Sequence, residues 1–450
     1  MILKTKSGDV SFRTKNLKQI TILALGFFWC SALCLSQQTA LSSLAGKDYA
    51  GTVALLYGSL AMAAGIFLFF CFSRRAKNLK YYYLLFSSLA LLSSFTFFAV
   101  NSPAVMSLCL CLTCFFGTAG FGAGYHFSLL ATSTDREYRG RVFAIGYGLG
   151  SIFTYLLSLL PVDFYASLSV MLIVAPLIIA NCALVYKTKN LVCVHNEITT
   201  KSYKQYFLVL SALALLASLF SAIASDVVAT HLFELEGLFA NTRIYYCLGL
   251  LVAGFFADKH KEIFDVCVLI SLVFSLLIII LLNQNLPPLA LIAPFYFFIG
   301  FFVVFRTTTF ANIYDQKKSA IAFSAFGLMY SRLMEGIFAI FQSDLAQNYI
   351  LLIISETVLF CIILWIFILH YNKNAHISAD DKIHLFAVRY KLSAQEERIL
   401  NLLMQDLTKK EIASRLFLSV NTVKIHVTNI YRKTNMRKAE LKEKFTLHTT

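Results

Sequence analysis

Three charged side chains stand inside long apolar runs: Arg243, Arg332 and Glu335, with Glu356 as a fourth. Ionisable groups in such surroundings face a cavity or one another rather than lipid. Two guanidiniums on one cavity suit a carboxylate or another anion, because each presents a planar fork of donors. Alternatively, Arg332 and Glu335, three residues apart on one helix face, neutralise each other while Arg243 snorkels to the membrane edge. A chemically different set lies near the C-terminus. Ser393-Ala-Gln-Glu396 and Thr408-Lys-Lys-Glu411 are two capping boxes, and Ser419 is a candidate cap for a third helix. Two short helices joined by a tight turn, the second presenting polar and basic side chains, follow helix-turn-helix logic.

Other candidate chemistry is incomplete. Cys109, Cys111 and Cys114 form a C-x-C-x2-C run with His126 some turns away. No acid completes a soft-metal set, and cysteine is a common small core residue, so no metal is expected. His and acidic residues are otherwise scattered, and no phosphate-cradling glycine loop follows a strand. Neither catalysis nor a cofactor is expected.

The elements that must position these residues are of two kinds. The 450 residues are 58% apolar and only 14% charged, with a mean hydropathy of +0.70 and 42 Phe. That composition describes a polytopic membrane protein rather than a soluble globular one. From residue 372 onward the chain turns polar, with 15 Lys and Arg against 8 Asp and Glu. All 11 cysteines lie at or before Cys361, almost all in apolar runs, which is no extracellular disulfide framework. The basic start is too long for a simple signal peptide, so the first apolar run reads as a retained helix.

A span needs roughly 20 apolar residues. Twelve candidates lie near 17–38, 49–72, 80–100, 103–130, 142–160, 163–186, 205–225, 237–257, 264–282, 286–308, 319–341 and 348–371. The fourth is long and glycine-rich (Gly117, Gly120, Gly122, Gly124), which suggests tilt or close packing. Loop charge tests the count. Lys4, Lys6, Arg13, Lys15 and Lys18 precede the first span. Alternate loops then carry Arg74, Arg75, Lys77 and Lys80; Arg136, Arg139 and Arg141; Lys187, Lys189, Lys201 and Lys204; Lys259 and Lys261; Lys317 and Lys318. The opposite loops hold Lys47 and otherwise acids or no charge. By the positive-inside rule both termini are cytoplasmic.

Twelve spans divided by a longer link at 187–204 imply halves 17–186 and 205–371. This arrangement resembles the major facilitator fold. Gly254 to Asp258 followed by Lys259, His260 and Lys261 resembles that family's glycine–aspartate–basic loop, and Asp135 to Arg141 its Arg-Gly loop. Gly65 with Ser73, Arg74 and Arg75 resembles a decayed copy without the aspartate, and Asp135 and Phe143 recur at the same offset as Asp315 and Phe323. The resemblance places the eighth and eleventh spans, hence Arg243 and Arg332, beside a central cavity.

The tail resembles the LuxR/FixJ-type C-terminal domain over about 386–445. The matching residues are Leu392-Ser393-x-x-Glu396, Glu411-Ile412-Ala413, Leu416-x-Leu418-Ser419, Thr422-Val423-Lys424-x-His426 and Asn429-Ile430-Tyr431-x-Lys433. Asp406 replaces the usual glycine, and Thr434 the usual leucine. The resemblance implies base-edge contacts from Lys424, Ile425 and Thr428. Candidates for phosphate contact are Thr422, Lys409, Lys410, Arg432 and Lys433. The alternative for the surface lysines is a merely solvated face. The resemblance also makes a fourth helix near 437–444 the dimerisation surface, which implies a homodimer on double-stranded DNA.

The expected organisation is all-α. A basic N-terminus (1–16) precedes a twelve-helix bundle (17–371), a linker (372–391), a small four-helix DNA-binding domain (392–445) and a tail (446–450). The linker, about 20 residues, spans at most roughly 70 Å extended, enough for two tails to meet half-sites about 34 Å apart. The expected function is a one-component transcription regulator in the bacterial inner membrane that senses a small molecule. The alternatives are a secondary transporter with a regulatory DNA-binding tail, or a tail kept for protein contacts.

Overall fold

The structure is a computed structural model describing residues 8–73, 78–189, 191, 201–232, 238–281, 288–316, 323–346, 349–375, 383, 386–387, 390, 392–436 and 440–441. It divides into two compact units, Met1–Trp365 and Ile366–Thr450.

The first unit is a helical bundle of twelve passes, the last of which runs on past Trp365 into the second unit. They are α1 (Gly8–Ala45), α2 (Lys47–Ser73), α3 (Leu79–Ala99), α4 (Pro103–Ser133), α5 (Arg139–Ser158), α6 (Met171–Tyr186), α7 (Lys201–Leu232), α8 (Leu238–Lys259), α9 (Lys261–Leu281), α10 (Pro288–Gln316), α11 (Phe326–Ala346) and α12 (Tyr349–Ala375). Nine are long and apolar enough to cross a bilayer among the described residues. Their outer faces are apolar too: Leu172 and Ile350 are 75% and 70% exposed. A bundle with such an exterior needs lipid, and helices meet the bilayer's demand that every backbone group be paired internally.

The fourth pass shows the close packing its glycines suggest, but not a single helix. It is two, Pro103–Phe116 and Phe121–Ser133, broken at the glycines between them. Gly120 lies against the carbonyls of Cys114 and Phe115, and Gly65 of α2 lies against the Phe115 carbonyl and the Gly120 backbone. A Cβ at Gly65 or Gly120 would overlap that carbonyl, so small residues let α2 ride on the bend. Gly249 and Gly300 bring α8 and α10 together in the same way.

Lys18 donates to the Lys187 carbonyl at 2.8 Å, and Lys80 to that of Tyr186 at 3.5 Å. The starts of α1 and α3 and the end of α6 therefore share one end of the bundle, as the charge alternation requires. Lys4, Lys6, Arg74, Arg75, Lys77, Lys317 and Lys318 lie outside the described residues, as do the side chains of Arg13, Lys15, Lys201, Lys204 and Asp315.

The second unit contains α13 (Ala394–Met404), α14 (Lys409–Leu416) and α15 (Val420–Thr434). Ile399, Leu400, Leu403, Ile412, Val423, Val427 and Ile430 form its core. Ile383, from the expected linker, and Leu441, from the expected fourth helix, are also buried in it. Residues 437–439 and 442–450 lie outside the described residues, and with them most of the implied dimerisation helix.

Candidate ligand cavity and nucleic-acid interface

Arg243, Arg332 and Glu335, far apart in sequence, line one cavity of about 470 Å³ within the bundle. Its walls come from α1, α2 and α5 of the first half and α7, α8, α10 and α11 of the second. Arg332 Nη1 donates to Glu335 Oε2 at 2.6 Å, and the Ser331 hydroxyl donates to Glu335 Oε1 at 3.1 Å. The two sequence alternatives are thus partly reconciled: Arg332 and Glu335 pair, and both still face the cavity. Arg243 faces the cavity as well.

Sequence reasoning missed Arg306. It lies on α10, lines the same cavity, is 8% exposed, and its Nε has no hydrogen-bond partner. It sits near the end of the expected tenth span, where an interfacial charge and a cavity charge look alike. Its guanidinium stands 5.7 Å from the Phe302 ring centroid. Glu356 is fully buried on α12 away from the cavity lining, with both carboxylate oxygens unpartnered.

The cysteine run holds no metal-sized group among the described residues. His126 Nε2 pairs with the Tyr83 hydroxyl at 3.0 Å, and Cys114 Sγ meets Cys34 Sγ at 3.7 Å.

The two loops singled out in the sequence meet each other. Asp258, near the end of α8, accepts the backbone N–H of Gly140 at 2.8 Å and of Arg141 at 2.9 Å. It also accepts Arg141 Nε at 3.0 Å. A carboxylate at a helix N-terminus satisfies N–H groups that have no partner inside the helix and opposes the helix dipole. Gly140 is required here, since a Cβ would stand 2.7 Å from both Asp258 Oδ1 and the Gly254 carbonyl. Beside it, Arg139 donates to the carbonyls of Thr134, Ala131 and Ala311 and to Asn312 Oδ1. Arg139 and Asp258 thereby tie the halves together at the end carrying the basic loops.

In the tail, all three caps form. Ser393 and Thr408 close capping boxes with Glu396 and Glu411, and the Ser419 hydroxyl accepts the Thr422 N–H at 3.0 Å. The Thr408 backbone N–H and then its hydroxyl hold the Glu411 carboxyl below its ordinary value. These caps set the start of α15, whose buried face is Val423, Val427, Ile430 and Thr434. The opposite face presents Lys424, Ile425 and Thr428 to solvent, with Ile425 62% exposed. An exposed isoleucine on a polar helix face suits contact with a thymine methyl in the major groove. Asn421, not singled out in the sequence, shares this face four residues before Ile425. Lys409, Lys410 and Arg432 are exposed, and Thr422 is half-buried.

Lys433, expected at a phosphate, has another partner: its Nζ is 2.5 Å from Glu396 Oε2. Burial works against ionised Glu396, but this ammonium and the Ser393 N–H outweigh it and hold the carboxyl below its ordinary value. Asp406 takes the left-handed conformation (φ 64°) that the usual glycine would adopt without cost. Thr434 is buried in place of leucine and returns its hydroxyl to the Ile430 carbonyl at 2.8 Å.

Comparison with known proteins agrees with this division. Residues 390–440 match the family described as bacterial regulatory proteins, luxR family. The spore germination protein GerE of Bacillus subtilis is 44% identical over 46 residues, covering 10% of this chain and 62% of GerE. A probable transcriptional regulator of Porphyra purpurea is 37% identical over 76 residues, 17% of this chain and 36% of that protein. The chain thus spans less than two thirds of the length of either relative. The bundle is similar in fold to the fucose:proton symporter of E. coli (TM-score 0.56, 15% identity, 79% of this chain and 98% of that one). It is also similar to the human organic anion transporter MFSD10 (TM-score 0.60, 11% identity, 78% and 99%). The chain joins a major-facilitator-fold membrane domain to a LuxR-type DNA-binding helix-turn-helix domain.

Proposed function

We propose that this chain is a one-component transcription regulator held in the bacterial inner membrane, both termini cytoplasmic, that senses a small molecule in its transporter-like domain. One observation carries the reading. The recognition face of α15 is exposed on a domain whose core is complete without it. Such a face has a use only where DNA can reach it, and the positive-inside rule puts the basic loops and both termini on that side. Binding in the cavity shifts the bundle between conformers by its differential affinity for them. That shift changes how two tails pair on an operator through their C-terminal helices. No catalytic step belongs to this reading.

The latch from Asp258 to Gly140 and Arg141 favours a second reading, a secondary transporter carrying a regulatory DNA-binding tail, since transport also requires the halves to separate and close. Transcription of the genes bound by the tail distinguishes them. The regulator reading expects Arg243→Gln in the full-length protein to change that transcription with protein abundance unchanged. Unaltered transcription, alongside solute uptake by tail-deleted protein in proteoliposomes, would favour the transporter.

A further inference from the structure

We infer that the cavity takes a small dianion with an apolar body, either a phosphate monoester or a dicarboxylate. The inference rests on the sensing reading above and adds the class of ligand. Three guanidiniums line the cavity, those of Arg243, Arg306 and Arg332, against the single carboxylate of Glu335. No Asp, Lys or further Glu lines it. Arginine stays protonated in proteins. Glu335 is already engaged at 2.6 Å by Arg332. No salt bridge joins Arg243 or Arg306 to a carboxylate among the described residues, and Arg306 Nε is buried without a hydrogen-bond partner.

Three guanidiniums against one carboxylate leave an excess of two positive charges, and a low-dielectric site attracts counter-charge far more strongly than water would. A monoanion leaves half of that excess; a dianion balances it. Two forked donors suit two carboxylates, or the several oxygens of one phosphate.

The cavity is also polarised. Its guanidiniums come from α8, α10 and α11 of the second half. The first half contributes Phe27, Ser31, Leu55 and Ser151, none of them charged. The anionic head therefore sits against the second half and an apolar or hydroxylated body against the first. About 470 Å³ accommodates such a molecule. A ligand that touches both halves has the differential affinity that a conformational signal needs.

The test is thermal unfolding of the purified full-length protein in detergent at fixed ionic strength. The probes are sulfate, phenyl phosphate and phthalate as dianions, chloride and benzoate as monoanions, and choline as a cation. The dianions are expected to raise Tm saturably, at concentrations at least tenfold below the monoanions, with phenyl phosphate and phthalate acting below sulfate. Whichever of those two acts at the lower concentration separates the phosphate from the dicarboxylate source. Arg306→Gln is expected to weaken dianions at least tenfold and to shrink their advantage over benzoate. Arg243→Gln serves as a second variant should Arg306→Gln not fold. Dianions no better than chloride, or an unchanged preference in a folded variant, would overturn the assignment. Stabilisation by choline alone would also overturn it. None of these results bears on DNA reading, which Lys424→Ala scores separately.

Discussion

Asp258 holds Arg141 twice, accepting its backbone N–H at 2.9 Å and its side-chain Nε at 3.0 Å. One carboxylate thus caps α5 and pairs with a cation on it from the other half of the bundle. Asp258→Asn keeps the shape but removes the charge. Hydrogen bonds to charged groups contribute about 1.5–3 kcal/mol each. The substitution is expected to shift the bundle roughly tenfold or more toward separation of the halves at this end. Thiol-reagent labelling of a cysteine placed at Ala257, which packs on Gly140 without a hydrogen bond to it, reads that shift once the exposed Cys71 and Cys361 are replaced, and an unchanged labelling rate would count against the latch.

Glu335 sets the charge balance of the cavity. Glu335→Gln releases Arg332 and leaves three guanidiniums without a carboxylate among the lining residues. Anion affinity is expected to rise, by roughly tenfold for one added cationic contact of about 1.4 kcal/mol. Titration calorimetry with phenyl phosphate checks this, and weaker binding in the variant would mean that Glu335 itself holds the ligand.

The Lys433–Glu396 pair joins α15 to α13, and Glu396 is 3% exposed. Lys433→Met is expected to destabilise the tail domain by about 1–2 kcal/mol, discounted because the lysine is partly screened by solvent. The folded Glu396 carboxyl titrates below its unfolded value. Its stabilisation is therefore present above the ordinary carboxylate range and is lost as pH falls through the depressed folded value. Urea unfolding should show the wild-type advantage at pH 7 shrinking below about pH 4. A difference that persists unchanged into acid would contradict the pair.

Lys409 and Lys410 are exposed at the start of α14, whose buried residues are Ile412 and Ala413. As phosphate contacts, each should release about one counterion, so each alanine substitution should lower the slope of log affinity against log salt by about 1. Fluorescence anisotropy across a salt series measures it. An unchanged slope would return these lysines to a merely solvated face.

Much of this was legible in the sequence, for different physical reasons in the two units. The tail is marked by caps: Ser393, Thr408 and Ser419 each start a helix through local hydrogen bonds between residues three apart, so sequence spacing alone reveals them. The passes are marked by length and hydropathy, and the loop charges mark which helix ends share one end of the bundle. Contacts between distant segments were not legible. The break in α4 depends on Gly65 from another helix, and the engagement of Lys433 on a carboxylate 37 residues away. Arg306 could be told from an interfacial arginine only by the walls around it.

The most direct test of the central claim is a genome-wide map of DNA crosslinked to the full-length protein in its own cells, beside Lys424→Ala. Loss of a base-edge contact costs about 1–3 kcal/mol and relaxes specificity at that position. Sharp peaks are expected that collapse in the variant, with equal amounts of both proteins in the membrane fraction. Peaks identical in the two proteins, or none under any growth condition, would contradict a membrane-held reader of DNA sequence.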